Sequence, residues 1–118
     1  MRFWDSSALV PLCLIETPSE AMHRLADEDD GIAIWWGSPV ECATAFARRR
    51  REGSLSEVEY RRTLVVFGRL GAGWVSIDAS GQLRDRAIRL AGVHPLRAGD
   101  VLQLAAGREG FSVLPADV

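Results

Sequence analysis

Lysine and asparagine are both missing from this 118-residue chain, and all fourteen of its basic residues are arginine. Without lysine there can be no P-loop grip on a nucleotide, no Schiff base, and no receiver-domain or protein-kinase chemistry. Long apolar runs are missing too. Stretches such as Ile32 to Trp36 are far too short to cross a bilayer. The opening Met1-Arg2-Phe3-Trp4-Asp5 meets charge too early for a signal peptide, so a cytoplasmic location is expected. Cysteine is scarce: Cys13 and Cys42 make no disulfide framework and read as reduced thiols. Excess charge is small as well. A net charge of −2 gives no general attraction for nucleic acid, so any such binding needs a local patch.

What is present is globular. Apolar residues make up 47% and charged residues 25%, and the length suits a single domain over residues 1–118. A domain of this size buries roughly two-thirds of the surface its unfolded chain exposes, enough for a core of its own.

The pattern alternates between strand and helix. Residues 2–5 read as a short strand running into Ser6-Ser7, an N-cap signal for a helix over Ala8 to Ile15 with Pro11 in its first turn. Thr17-Pro18-Ser19-Glu20 opens a second helix, which closes in the acidic turn Asp27-Glu28-Asp29-Asp30. Ile32 to Trp36 is apolar on both faces, as a strand covered on both sides must be. Ser38-Pro39-Val40-Glu41 starts a helix that ends in Arg48-Arg49-Arg50-Arg51 and stops at Gly53. Ser54 to Glu57 caps the next helix, Trp74 to Ile77 is a third strand, Ser80 caps a further helix, and Leu96 to Asp100 opens another. Phe111 to Leu114 is a last strand ending at Pro115. This succession predicts an α/β fold with a mainly parallel sheet.

Ligand sites in such sheets lie at the C-terminal ends of the strands. Asp5 falls at the end of the first strand, Glu41 in the first turn of the helix after the second, and Asp100 in the first turn of a late helix. Three carboxylates from distant parts of the chain are thus expected on one sheet edge. Such a cluster needs a cation or raised pKa values to persist, and its hard oxygens select Mg²⁺ or Mn²⁺ over zinc. Each acid also has a local job open to it. Glu41 can close a capping box with Ser38, Asp100 can complement a helix dipole, and Asp5 can be an N-cap.

Other residues point less clearly to chemistry. Arg48 shares a helix stripe with Glu41, with small Thr44 and Ala45 between them; it suits either a phosphate or plain solvent. His23 and His94 have no partner suited to a triad or a zinc site. Cys42 reads as a small buried apolar residue, and the four tryptophans read as core.

Three motifs taken together resemble a family. Trp4-Asp5-Ser6-Ser7-Ala8-Leu9-Val10, then Ser38-Pro39-Val40-Glu41, then His94-Pro95-Leu96-Arg97-Ala98-Gly99-Asp100-Val101-Leu102-Gln103-Leu104-Ala105 look like a PIN domain, similar to the VapC-type ribonuclease toxins of bacterial toxin–antitoxin pairs. The likeness implies a three-layer α/β/α domain and a metal-dependent endoribonuclease that hydrolyses RNA phosphodiesters. It implies Asp5, Glu41 and Asp100 as catalytic and metal ligands for Mg²⁺ or Mn²⁺, with Ser6 or Ser7 supporting Asp5. The partners it implies are RNA and a cognate antitoxin protein. An arginine of that antitoxin is expected near Asp5 and Asp100, since a guanidinium pairs bidentately with carboxylates, and a homodimer through apolar helix faces is expected from the short C-terminal part. A haloacid-dehalogenase-type phosphatase also has an Asp after its first strand. It needs a second Asp where Ser7 stands, and a lysine.

The C-terminal part is short against the family pattern. In one register residues 111–117 are the fourth strand, with Asp117 as a fourth acid. In the other, the closer match, residues 108–115 are the final strand and a segment is absent after Ala106. Either way the last strand is expected to pair in parallel with residues 2–5. The alternative reading of function is a degenerate PIN domain that keeps partner binding without catalysis.

Overall fold

Strand and helix follow one another as the periodicity predicts, in a computed structural model that describes residues 1–15, 17–27, 31–108 and the backbone of 112–113. The elements are β1 (Arg2–Phe3), α1 (Ser6–Ile15), α2 (Pro18–Asp27), β2 (Ile32–Trp35), α3 (Ser38–Arg51), α4 (Glu57–Gly71), β3 (Val75–Ile77), α5 (Gly81–Ala91), α6 (Ala98–Gly107) and β4 (Ser112–Val113). Glu28 to Asp30 of the acidic turn, Phe111 of the last strand and Leu114 to Val118, with Asp117, lie outside the described residues.

Local chemistry explains most of the helix ends. Thr17 and Glu20 close a reciprocal capping box on α2, and Ser56 and Glu59 do the same on α4. The Ser80 hydroxyl accepts from the Leu83 N–H to start α5. At the end of α3, Gly53 takes φ 82°. The Gly53 N–H then reaches the Arg50 carbonyl at 3.1 Å and the Ser54 N–H the Arg49 carbonyl at 2.9 Å. This is the Schellman arrangement, which glycine adopts without a Cβ penalty. One expectation shifts: α1 begins at Ser6, so Pro11 lies in its second turn, inside the helix. There its ring removes the N–H that would ordinarily bond the Ser7 carbonyl.

The sheet is parallel throughout, in the order β3-β2-β1-β4. Phe3 pairs with Ala33, and Ala33 with Val75. β4 joins β1 in parallel, Arg2 opposite Ser112 and Phe3 opposite Val113, as expected of the last strand. All of β2 is buried. Its alternating side chains feed two cores. Ile32 and Ile34 pack with Leu9, Leu12, Phe46, Val66 and Leu70, which belong to α1, α3 and α4. Trp35 and Phe3 pack on the other face with Leu83 and Ala87 of α5 and Val101, Ala105 and Ala106 of α6. A parallel sheet has to be covered on both faces in this way. The tryptophans depart from expectation at one position: Trp36 is 59% exposed at the end of β2. Among the described residues no helix is long and apolar enough to cross a membrane.

Candidate active site

The direction of strand addition reverses at β1: β2 and β3 lie to one side of it and β4 to the other. A crevice opens at the C-terminal ends of the strands where such a reversal occurs. Asp5 sits there, just after the Trp4 N–H makes its 2.8 Å bond to the Ala33 carbonyl. Asp5 also caps α1. Its Oδ1 accepts from the Ser7 N–H at 3.0 Å, and its carbonyl accepts from the Ala8 and Leu9 N–H groups. The local job and the site position therefore coincide in one residue.

Glu41 does not close a capping box with Ser38. The N-cap of α3 is Gly37, and it makes no side-chain cap bond. Ser38 is fully buried, and its Oγ accepts from Gln103 Nε2 at 2.8 Å. The same Gln103 nitrogen donates to Glu41 Oε1 at 3.0 Å. The Ser6 hydroxyl reaches Glu41 Oε2 at 3.1 Å and Asp5 Oδ1 at 3.2 Å. A hydroxyl has a single proton to donate, so Ser6 serves one of these carboxylates at a time. One hydrogen-bonded chain thus runs from α6 through α3 to α1 and the end of β1.

All three acids expected from the sequence border one cleft of about 700 Å³. Asp5, Ser6, Ser7, Val10 and Pro11 form one wall, Val40, Glu41, Thr44, Ala45, Arg48 and Arg49 of α3 form the other, and Asp100 comes from α6. Burial holds the Glu41 carboxyl above its ordinary value of 4.5. The bonds from Gln103 and Ser6 pull it back down, and the negative charges of Asp5 and Asp100 push it up again. The Cys42 thiol behind Glu41 is pushed up to about 12, first by burial and then by Cys13, Glu41 and Asp5. Both cysteines are buried.

The donors in the cleft are all oxygen, which suits a hard divalent cation such as Mg²⁺ or Mn²⁺. Asp5, Glu41 and Asp100 are the residues that would hold one. As they stand, no three acidic, histidine or cysteine side chains gather closely enough to grip an ion among the described residues. Glu41 is instead engaged with Ser6 and Gln103. The residue the sequence reading missed is Gln103. Its signal was its position, three residues after Asp100 and so on the same face of a helix that enters the sheet edge. His23 and His94 do not border the cleft. No protein-family model matches the chain, and neither does any curated protein.

Proposed function

We propose that the chain is a metal-dependent endoribonuclease with a PIN-type fold, of the kind found in toxin–antitoxin pairs. One observation carries the reading: Asp5, Glu41 and Asp100, brought from three distant elements, border a single cleft at the C-terminal edge of a parallel sheet. Acids serving only as caps and dipole partners would have no reason to share it. The Ser6 hydroxyl between Asp5 and Glu41 supports the same reading, since it lies where the resemblance puts a supporting hydroxyl.

A divalent cation, when bound, lowers the pKa of water and offsets charge on a phosphodiester under attack. The protein's share is orientation. The Ser7 N–H fixes Asp5 Oδ1, Gln103 fixes Glu41 Oε1, and the Ser6 hydroxyl steadies either Glu41 Oε2 or Asp5 Oδ1. Burial raises the Glu41 carboxyl above its ordinary value, and the charges of Asp5 and Asp100 add to that, so a cation that offsets them is favoured at this point. An inhibitory partner suited to this cleft would carry an arginine, whose guanidinium pairs bidentately with carboxylates.

A second reading, a PIN-type domain that binds a partner without catalysis, draws on the absence of a ready three-acid grip among the described residues. Cleavage of labelled RNA with Mg²⁺ or Mn²⁺, beside calorimetric Mn²⁺ titration, separates the two. Chelator-sensitive cleavage supports the nuclease. Neither Mn²⁺ heat nor cleavage at any metal concentration leaves the binding module.

A further inference from the structure

The cleft has two ends of opposite charge. At one end stand Asp5, Glu41 and Asp100; at the other Arg48 and Arg49 complete the α3 wall. Residues 41 and 48 lie on one helix stripe two turns apart, about 10 Å along the axis. Thr44 and Ala45 between them are small, and the Thr44 hydroxyl spends its proton on the Val40 carbonyl. The floor is therefore low and makes no demand of its own.

The two arginines are exposed, and neither makes an ion pair among the described residues. Their neighbour behaves differently. Arg50 lies 4.3 Å over the Tyr60 ring and 3.9 Å from Glu57, tying α3 to α4. The run of four thus divides into Arg50, which is structural, Arg51, which is exposed off the cleft, and Arg48 and Arg49, uncommitted on the cleft wall. Separation from the acids leaves both charges unspent.

We propose that Arg48 and Arg49 form a phosphate subsite for a part of the RNA other than the bond being cut. The inference rests on the ribonuclease reading and sharpens its substrate. A helix span of about 10 Å is too long for one phosphate to touch both ends. The cleft therefore selects a polynucleotide with a flanking phosphate over a mononucleotide or a terminal phosphate ester. Guanidinium forks suit this task, since they pair with phosphate oxygens bidentately.

The test is fluorescence anisotropy of a labelled short single-stranded RNA in chelator, where nothing is cut, for wild type, the double variant Arg48→Gln/Arg49→Gln, and Arg51→Gln. Arg51 is exposed on the same helix but lies off the cleft, so it controls for charge alone. The double variant is expected to bind about tenfold more weakly. Its slope of log affinity against log salt should be shallower by roughly 1.4, as two lost contacts to a single strand require. Arg51→Gln should match wild type, and the double variant should keep the wild-type circular dichroism spectrum. An unchanged double variant, or an equal loss in Arg51→Gln, overturns the subsite. If wild type cleaves RNA with Mg²⁺ and only the double-variant result fails, the subsite falls alone. If wild type neither binds nor cleaves RNA, the subsite and the ribonuclease reading fall together.

Discussion

Gln103 Nε2 bonds both Ser38 Oγ, at 2.8 Å, and Glu41 Oε1, at 3.0 Å, from a side chain that is only 2% exposed. A buried amide spanning two elements holds α6 against α3 at the one point where both reach the cleft. Gln103→Leu removes both bonds and strands a buried serine. Gln103 Oε1 is itself buried without a partner among the described residues, so its loss returns part of that cost. The expected destabilisation is about 1–2 kcal/mol by urea unfolding. A neutral result would mean that the network does not hold the helices together.

The raised Glu41 carboxyl makes the fold pH-sensitive with a definite sign. A carboxyl whose folded pKa lies above its unfolded value near 4.5 binds more protons in the native state. Its contribution is complete below 4.5 and is lost as pH rises through the folded value. Exposed Glu59 moves the other way, held below its ordinary value by the Ser56 backbone and hydroxyl. The comparison of wild type with Glu41→Gln isolates the term. Wild type should lose stability relative to Glu41→Gln as pH climbs from 4.5 toward neutrality, measured by thermal unfolding without metal. A difference that stays flat over that range would contradict the assignment.

Asp5 has an observed role as a helix cap and a proposed one as a metal ligand, and substitution can separate them. Asparagine caps helices about as well as aspartate, so Asp5→Asn should keep the bond from the Ser7 N–H and change stability by less than about 0.5 kcal/mol. It should nevertheless weaken Mn²⁺ binding and abolish metal-dependent RNA cleavage. Asp5→Ala should add a stability loss of about 1 kcal/mol by removing the cap. Wild-type cleavage by Asp5→Asn would sink the nuclease proposal.

Gly37 links the core to the site through one close approach. A Cβ at this position would lie 2.6 Å from Trp35 Nε1, within the core beneath the start of α3. Gly37→Ala must displace the Trp35 indole or the α3 entry that carries Ser38 and Glu41. The expected cost is about 1–3 kcal/mol, with an altered near-ultraviolet tryptophan signal. An unperturbed spectrum at wild-type stability would show that the approach is looser.

Cys42 is fully buried and its thiol is pushed up to about 12; Cys13 is 1% exposed. Since the thiolate is the nucleophile, neither should react with an aromatic disulfide reagent at mildly alkaline pH in the native state, and both should react on denaturation. Rapid native labelling of either would contradict this burial.

Much of this was present in the order of residues. The alternation of strands and helices, the capping pairs Thr17–Glu20 and Ser56–Glu59, and the stop at Gly53 are local, set by contacts within a few residues. Asp5 was legible for the same reason, since a polar residue leaving a strand into a helix must lie at the sheet's C-terminal edge. Glu41 was not. Its neighbourhood offers a capping box with Ser38, and nothing local shows that α6 will bury Gln103 between them. The partners that won, Ser6 and Gln103, lie 35 and 62 residues away. Hydrogen-bond partners of comparable strength compete, and packing decides among them by choosing which polar groups lose water and must be satisfied inside. Sequence therefore determined which acids reach the edge, and tertiary structure decided what holds Glu41 there, because only the folded chain buries Gln103 beside it.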